Sequence, residues 1–384
     1  MSSPDTVCHQ EFDESRFLAS EYEPARPEKA AFHIIPVPLE QSVSYGGGTA
    51  RGPAAILAAS QQLEAWDGIS APGEAGLYTA PAVDCDAPIG TVLERIEAAT
   101  AHALRCKALP VILGGEHTVT LGALRALAAE AARTGEPFGV VQFDAHADLR
   151  SQYEGSIYSH ASVMHRAVAD LGLPLSQFAM RDFCREEVDV RRRYNVLHYD
   201  ADILFRQGLP ERPLPEDFPR RLYITFDVDG LDASLMPATG TPSPGGLFWH
   251  QALLLIERCL QGRSMAGMDV VELAPLPGLH QLLELGNDLL PAAISGIVHP
   301  VAVMDLLAAV QTQHHIVALL VAKIDHIVID QHTVGGHGKA EVLVVDLLLL
   351  TAVGNQLFDH VKIHQRFAAK EVYLKVAAGA GVFD

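Results

Sequence analysis

Residues 140–150 of this chain read VVQFDAHADLR, an apolar run of Val140, Val141 and Phe143 that leads into Asp144, His146 and Asp148. At a spacing of two, all three ionisable side chains leave one face of an extended segment. Carboxylates held that close repel one another unless a proton or a cation sits between them. A second stretch, YITFDVDGLD, ends an apolar run with Asp227 and Asp229, again two apart, and His117 follows VILGG, where two glycines permit a tight turn. Any one of these aspartates alone reads as a helix cap or a turn residue. Four aspartates and two histidines at three strand ends read as a site for two divalent cations. Oxygen-rich ligands with some imidazole favour manganese-like ions. Two such ions turn a bridging water into hydroxide near neutral pH.

Those residues need elements that place them. Short apolar runs predict strands at AFHIIPVP (31–38), LPVILGG (109–115), FGVVQFDAH (138–146), VLHYDADIL (196–204), RLYITFDVD (221–229) and MAGMDVVELAP (265–275). Between them, TVLERIEAATAHALRCKA places Val92, Ile96, Ala99, Ala103 and Cys106 at helical spacing. TLGALRALAAEAARTG and LFWHQALLLIERCLQG read as helices too, each stopped near a glycine. Strand–helix alternation with nearly all-apolar strands predicts an α/β fold with a parallel sheet covered on both faces. Ligands of such sheets sit at the carboxyl ends of the strands, where Asp144, His146 and Asp148 fall.

The bulk composition narrows the partners. At 384 residues and 49% hydrophobic, the chain can bury one large core, or one core and an appendage. Its net charge of −19 argues against nucleic acid, which needs clustered Lys and Arg, and suits a cationic small molecule. No run approaches the roughly 20 apolar residues of a membrane span, and the polar, acidic start MSSPDTVCHQEFDES carries no secretion pattern. Five scattered cysteines, none in a CxxC pair, suit reduced thiols in a cytoplasmic protein. SYGGGTARGP (44–53) lacks both phosphate-loop spacings, so its glycines serve close approach rather than a nucleotide. Beyond about residue 280 the character changes: residues 281–384 hold one arginine, Arg366, yet eight of the 18 histidines, with apolar runs of no clear phase.

VILGGEHTVTLGALRAL, VVQFDAHADLR, YSHASVMHR and FDVDGLDASLMPATGTPSPGGL, followed by GMDVVELAP, resemble the ureohydrolases of the arginase and agmatinase superfamily, over roughly residues 31–280. The resemblance implies a three-layer arginase-like fold, a central parallel sheet flanked by helices. It implies two Mn²⁺ per chain, held by His117, Asp144, His146, Asp148, Asp227 and Asp229, the set reached above from spacing and charge. The family reaction is hydrolysis of a guanidino group to urea and an amine, in homo-oligomers that are trimers or hexamers. Glu272, in VVELAP, matches the family's guanidinium-binding glutamate, and a planar carboxylate suits a guanidinium's forked donors. His160, in YSHAS, matches its proton-shuttling histidine, a task suited to a group that titrates near neutrality; His165 lies close by in sequence. Glu116 reads as a supporting residue or a cap. The implied organisation is an N-terminal arm (1–30), a catalytic domain (31–280) and an atypical C-terminal segment (281–384). That last segment is expected to pack poorly, whether it is a native extension or the product of a shifted reading frame.

Substrate choice rests on the loop DLRSQYEGSIYSHAS (148–162). Arg150 would welcome a carboxylate, whereas Glu154 could meet a free amine and repel one, and the loop with YGGGTARGP looks more like agmatinases than arginases. The reading is agmatine to putrescine and urea. Arginase, a guanidino-acid hydrolase such as guanidinobutyrase, and a catalytically silent homologue are the alternatives.

Overall fold

The computed structural model of the chain describes residues 13–67 and 70–276. Eight strands form one sheet: β1 (Phe32–Val37), β2 (Leu77–Thr79), β3 (Leu109–Gly114), β4 (Phe138–Phe143), β5 (Leu175–Phe178), β6 (Leu197–Tyr199), β7 (Arg221–Asp227) and β8 (Ser264–Val271). Their order is β2-β1-β3-β8-β7-β4-β5-β6 and every pairing is parallel. Parallel neighbours need crossovers, and seven α-helices supply them: α1 (Gly52–Ala59), α2 (Ile89–Arg105), α3 (Thr120–Thr134), α4 (Val163–Ala169), α5 (Arg185–Arg193), α6 (Ala201–Gln207) and α7 (Trp249–Leu260). Among the described residues, no helix is long and apolar enough to cross a membrane.

Side-chain alternation along the strands builds two cores. Val111, Leu113, Val141 and Phe143 face one side with Ile56 of α1, Leu204 of α6 and Ile256 of α7. Ile35, Ile112 and Val140 face the other with Ile96 of α2, Leu124 of α3 and Met164 of α4. The sheet is therefore buried on both faces, as its continuous apolar strands demand. Phe17 and Leu18, within the expected N-terminal arm, are buried in the first of these cores. Residues 281–384 lie outside the described residues.

All six expected strands are present, with one correction. The run 196–204 is not a single strand: β6 stops at Tyr199 and α6 begins at Ala201, which with Leu204 makes a helical i, i+3 buried pair. Two strands escaped the apolar-run criterion. β2 is a three-residue edge, and β5 reads LSQF, whose Ser176 and Gln177 are buried polar residues inside the sheet.

Four consecutive strands of the sheet, β3, β8, β7 and β4, end side by side at the middle of one rim. The turns that leave them are packed backbone to backbone. A Cβ at Gly115, just past β3, would stand 2.0 Å from the Leu39 carbonyl oxygen, and one at Gly230, past β7, 2.8 Å from the Asp144 nitrogen. These two glycines allow neighbouring strand ends to converge. Gly115→Ala is expected to lower stability by about 1–3 kcal/mol through that overlap. Urea unfolding of the variant measures it, and a loss below about 0.5 kcal/mol would contradict the close approach.

Candidate active site

Each of the four central strands delivers its side chains just past its last ladder bond. β3 leads through Gly115 and Glu116 to His117, at the start of a short 3-10 turn before α3. β4 leads to Asp144, His146 and Asp148, the last in a left-handed backbone conformation (φ +52°). β7 ends on Asp227, whose carboxylate accepts the Asp229 N–H at 2.9 Å and so turns the chain into the next 3-10 turn. β8 ends before Glu272, also left-handed (φ +64°). A non-glycine residue held there is strained by about 1–3 kcal/mol, which surrounding contacts must offset. For Glu272 those contacts are its N–H on the Gly115 carbonyl and its Oε1 accepting the His117 N–H, at 2.8 and 2.7 Å.

The six residues read from the sequence converge. His117 Nδ1 stands 2.9 Å from Asp148 Oδ2, 3.1 Å from Asp144 Oδ2 and 3.6 Å from Asp227 Oδ2. His146 Nδ1 stands 3.1 Å from Asp229 Oδ2 and 3.5 Å from Asp144 Oδ1. Five of them form two metal-sized groups, His117–Asp144–Asp227 and Asp144–His146–Asp229, with Asp144 common to both; Asp148 stands beside His117 outside both groups. A cleft of about 420 Å³ reaches His146, Asp148 and Asp227 and is lined also by Glu272, His160, Asp182, Tyr45 and Thr241. A larger groove of about 1240 Å³, past Leu175, Arg191 and Phe218, touches none of the six.

Protonation in this cluster is set by crowding. Burial opposes a charge on His117, yet Asp144 and Asp148 hold its pKa well above the usual value. His146, likewise opposed by burial, is raised to about 12 by Asp144 and Asp229. Burial and the Asp144 charge push Asp148 to about 7, while burial with Asp229 and Asp144 raises Asp227 well above the carboxylate range. Burial opposes ionisation of Asp144, but the two histidines hold its carboxyl low. Burial lifts Glu272 to about 8. Such a set holds protons where a cation of higher charge would displace them.

The donor set fits such cations, and the orientation of His117 is the test. Its Nε2 lies 2.8 Å from Thr225 Oγ1, and the Thr225 hydroxyl donates to Asp269 Oδ1 at 2.7 Å. The hydroxyl's one proton being committed, Nε2–H must be the donor, so Nδ1 faces three carboxylates, with a proton there or, where a cation replaces that proton, a lone pair. Although within ion-pair distance of them, Nδ1 is buried with no hydrogen bond directed at it. A lone pair aimed at carboxylate oxygens is repulsive unless a cation or a proton lies between. Asp269, fully buried, is itself held by Tyr223 and Thr120 at 2.7 and 2.8 Å.

The remaining residues divide. His160 lines the cleft, and burial lowers its pKa. Arg150 also lines it, its guanidinium 5.6 Å from the centre of the Tyr153 ring. Glu154 is not among the cleft-lining residues; it is exposed on a turn with φ +48°. Glu116 makes no cap bond to the turn that follows it; its buried carboxylate instead accepts from Gln41 N, Ser42 N, Ser42 Oγ and Thr118 Oγ1. Sequence reasoning missed Thr225, Asp269 and Arg181. Arg181 donates to the carbonyls of Asp229, Leu231 and Ser243 at 2.6, 3.1 and 2.7 Å, and so joins the loop carrying Thr241 to the site. The one available signal was Asp269 itself, an aspartate inside the apolar run MAGMDVV.

A parallel α/β sheet whose central strand ends gather histidines and aspartates in two metal-sized groups offers a donor set that fits divalent cations. Comparison with known proteins names the family. The sequence model of the arginase family matches residues 30–290. The N(1)-aminopropylagmatine ureohydrolase of Synechocystis is 37% identical over 262 residues, 65% of this chain and 83% of that protein. Its Thermus thermophilus namesake is 38% identical over 257 residues, 66% of this chain and 86% of that one. Among solved structures, the agmatine ureohydrolase of Thermoplasma volcanium superposes with a TM-score of 0.65 at 28% identity, covering 78% of this chain and 96% of its own. The chain belongs to the arginase family, and its relatives there are ureohydrolases.

Two expectations follow from the site. Thr225→Val removes the acceptor of the His117 Nε2–H and is expected to weaken divalent-metal affinity about 10–100-fold with the fold kept; unchanged affinity by calorimetric titration would sink this role. The sign of the pH dependence follows from the raised values. Entering cations displace protons held by Asp148, at about 7, and by His146, at about 12, so affinity rises with pH. Titration at pH 7 in buffers of different ionisation enthalpy is expected to show net proton release, and none would contradict it.

Proposed function

We propose that this chain is a binuclear manganese ureohydrolase acting on a cationic guanidino compound without an α-carboxylate, N(1)-aminopropylagmatine ahead of agmatine. The observation that carries the chemistry is the pair of His/Asp groups sharing Asp144, with Glu272 in the same cleft. Two ions would be held by His117, Asp144, His146, Asp148, Asp227 and Asp229. Such ions supply, when bound, the activation of a water near neutral pH and neutralise the crowded carboxylates. The chain's own residues do the rest. Glu272 commits Oε1 to the His117 N–H, and its other oxygen remains for a guanidinium N–H. A permanently charged guanidinium beside it favours the ionised carboxylate over the protonated form that burial otherwise promotes. When water adds to the guanidino carbon and the carbon–nitrogen bond to the alkyl chain breaks, the departing amine needs a proton. In this reading His160, which lines the cleft and is kept largely neutral by burial, takes up the proton that the adding water releases and passes it to that amine.

The far end of the substrate selects among family members. Asp182 lines the cleft, is exposed, and its carboxylate has no hydrogen-bond or ion-pair partner among the described residues. A free acidic group at the mouth favours substrates with additional ammonium groups. That supports an aminopropyl-extended agmatine, the compound named for both relatives above, over a zwitterionic amino acid. Agmatine itself is the second reading, favoured by the name of the Thermoplasma neighbour. Arg150 would attract a carboxylate, and its place against the Tyr153 ring gives it a second occupation.

The assay is urea release with added Mn²⁺ on N(1)-aminopropylagmatine, agmatine, guanidinobutyrate and arginine. Both amine substrates are expected to exceed arginine in kcat/KM at least tenfold, about 1.4 kcal/mol in transition-state binding, with the aminopropyl compound first. Arginine or guanidinobutyrate in first place would move the assignment to a sibling, and no urea from any of the four would sink the enzymatic reading.

A further inference from the structure

His160 meets a serine at each ring nitrogen. Ser42 Oγ is 3.1 Å from Nδ1 and Ser44 Oγ is 2.6 Å from Nε2. The two contacts are not equivalent, because a hydroxyl has one proton and two lone pairs. Ser42 Oγ lies 2.7 Å from Glu116 Oε1, to which it donates, and it accepts the His160 backbone N–H at 3.1 Å. Its remaining capacity is a lone pair, so toward Nδ1 it can only accept. Ser159 Oγ, at 3.5 Å from Nδ1, is the more distant neighbour. Ser44 makes no such commitment and is free to donate to Nε2.

Glu116 is what removes Ser42's choice. Its carboxylate is fully buried and receives four donors, two from backbone nitrogens and two from hydroxyls. Four donors match the lone pairs of an ionised carboxylate, so it stands ready to accept and has no proton to return. The same bonds anchor residues 41 and 42, immediately before the cleft-lining run Val43–Gly46.

We infer that Ser42, clamped by the buried Glu116 carboxylate, is a positioning residue that fixes His160 in the Nδ1–H tautomer and thereby leaves Nε2 as the nitrogen that takes up the proton released as water adds and then gives it to the departing amine. The inference rests on the proposed role of His160 in passing a proton to the departing amine. Ser44, whose hydroxyl meets Nε2 at 2.6 Å, occupies the place that the departing amine takes once Nε2 carries that proton. A ring in the other tautomer would hold its lone pair toward Ser42 and offer the cleft a proton it could not replace from that side.

The test compares Ser42→Ala and Ser42→Thr with the parent full-length chain. Nitrogen NMR on histidine-labelled protein freed of paramagnetic metal reads the tautomer directly, with the His160 signals assigned by their loss in His160→Asn. The parent and Ser42→Thr are expected to show a protonated Nδ1 and an unprotonated Nε2, and Ser42→Ala to lose that preference. With Mn²⁺ restored, Ser42→Ala is expected to lose about tenfold in kcat with KM within twofold, and Ser42→Thr to recover most of it. A His160 that keeps the Nδ1–H tautomer in Ser42→Ala would overturn the inference, as would a kcat loss that threonine does not rescue. Full urea release by His160→Asn would instead remove the proton role of His160 and leave the tautomer result standing.

Discussion

Everything at the rim of this sheet answers to one electrostatic constraint: four aspartates and a glutamate are brought within a few ångströms of two histidines, out of water. Burial, and after it repulsion between charges of one sign in a poorly solvated cleft, displaces the carboxyl groups of Asp148, Asp227 and Glu272 upward. Nothing in packing alone would gather them. The scaffold holds them together because each sits on a rigid strand end, with the backbone turned by glycines or forced into left-handed conformations at Asp148 and Glu272. Strain and repulsion are concentrated here, while the interior beneath is apolar and close-packed, with Phe143 stacked against both Phe178 and Phe226 at 5.2 and 5.4 Å.

The cluster depends on a second layer that continues into the sheet. Asp144, common to both metal-sized groups, accepts from Gln142 at 2.7 Å; Gln142 accepts from Gln177, which accepts from Arg191, which pairs with Asp200. This buried chain of amides runs from β4 through β5 to α5 and ends on a charge pair. Buried polar groups are tolerated when their partners are supplied, and each member here orients the next. A polar line that crosses strands explains why β5 can bury Ser176 and Gln177 in a sheet otherwise built from Val, Ile and Phe.

That line also marks where the sequence stops being legible. Period-2 spacing exposed Asp144, His146, Asp148, Asp227 and Asp229, because a strand end converts sequence spacing into a shared direction. The apolar runs exposed the central strands for the same reason. β5 and α5 were silent because their buried positions are filled by Ser176, Gln177, Glu187 and Arg191, which read as surface until their partners are known. Glu154 illustrates the converse: charge and nearness along the chain to Asp148 suggested a substrate contact, but loop geometry, which carries no period, turns it to solvent and brings Asp182 from another strand's end instead. Contacts across large sequence separations, such as Thr225 with His117 or Ser42 with Glu116, had no local signature at all.

Two of those invisible contacts share a design. At His117 the ring's Nε2 meets a hydroxyl, Thr225, whose proton goes to the buried Asp269. At His160 the ring's Nδ1 meets a hydroxyl, Ser42, whose proton goes to the buried Glu116. In each case a carboxylate takes the hydroxyl's one proton and so converts an ambivalent group into a pure acceptor, which dictates the ring nitrogen that carries hydrogen. The outcomes are opposite orientations in one cleft, with Nε2–H of His117 fixed toward the sheet so that Nδ1 meets the carboxylate cluster, and Nδ1–H of His160 fixed toward Ser42 so that Nε2 meets the opening. A carboxylate bonded directly to the His160 ring would also set the tautomer, but its full charge would stabilise the imidazolium and raise the pKa, as Asp144 and Asp148 do at Nδ1 of His117. An intervening hydroxyl transmits the orientation while weakening the charge, which suits His160, a ring whose pKa burial lowers and which hands on a proton.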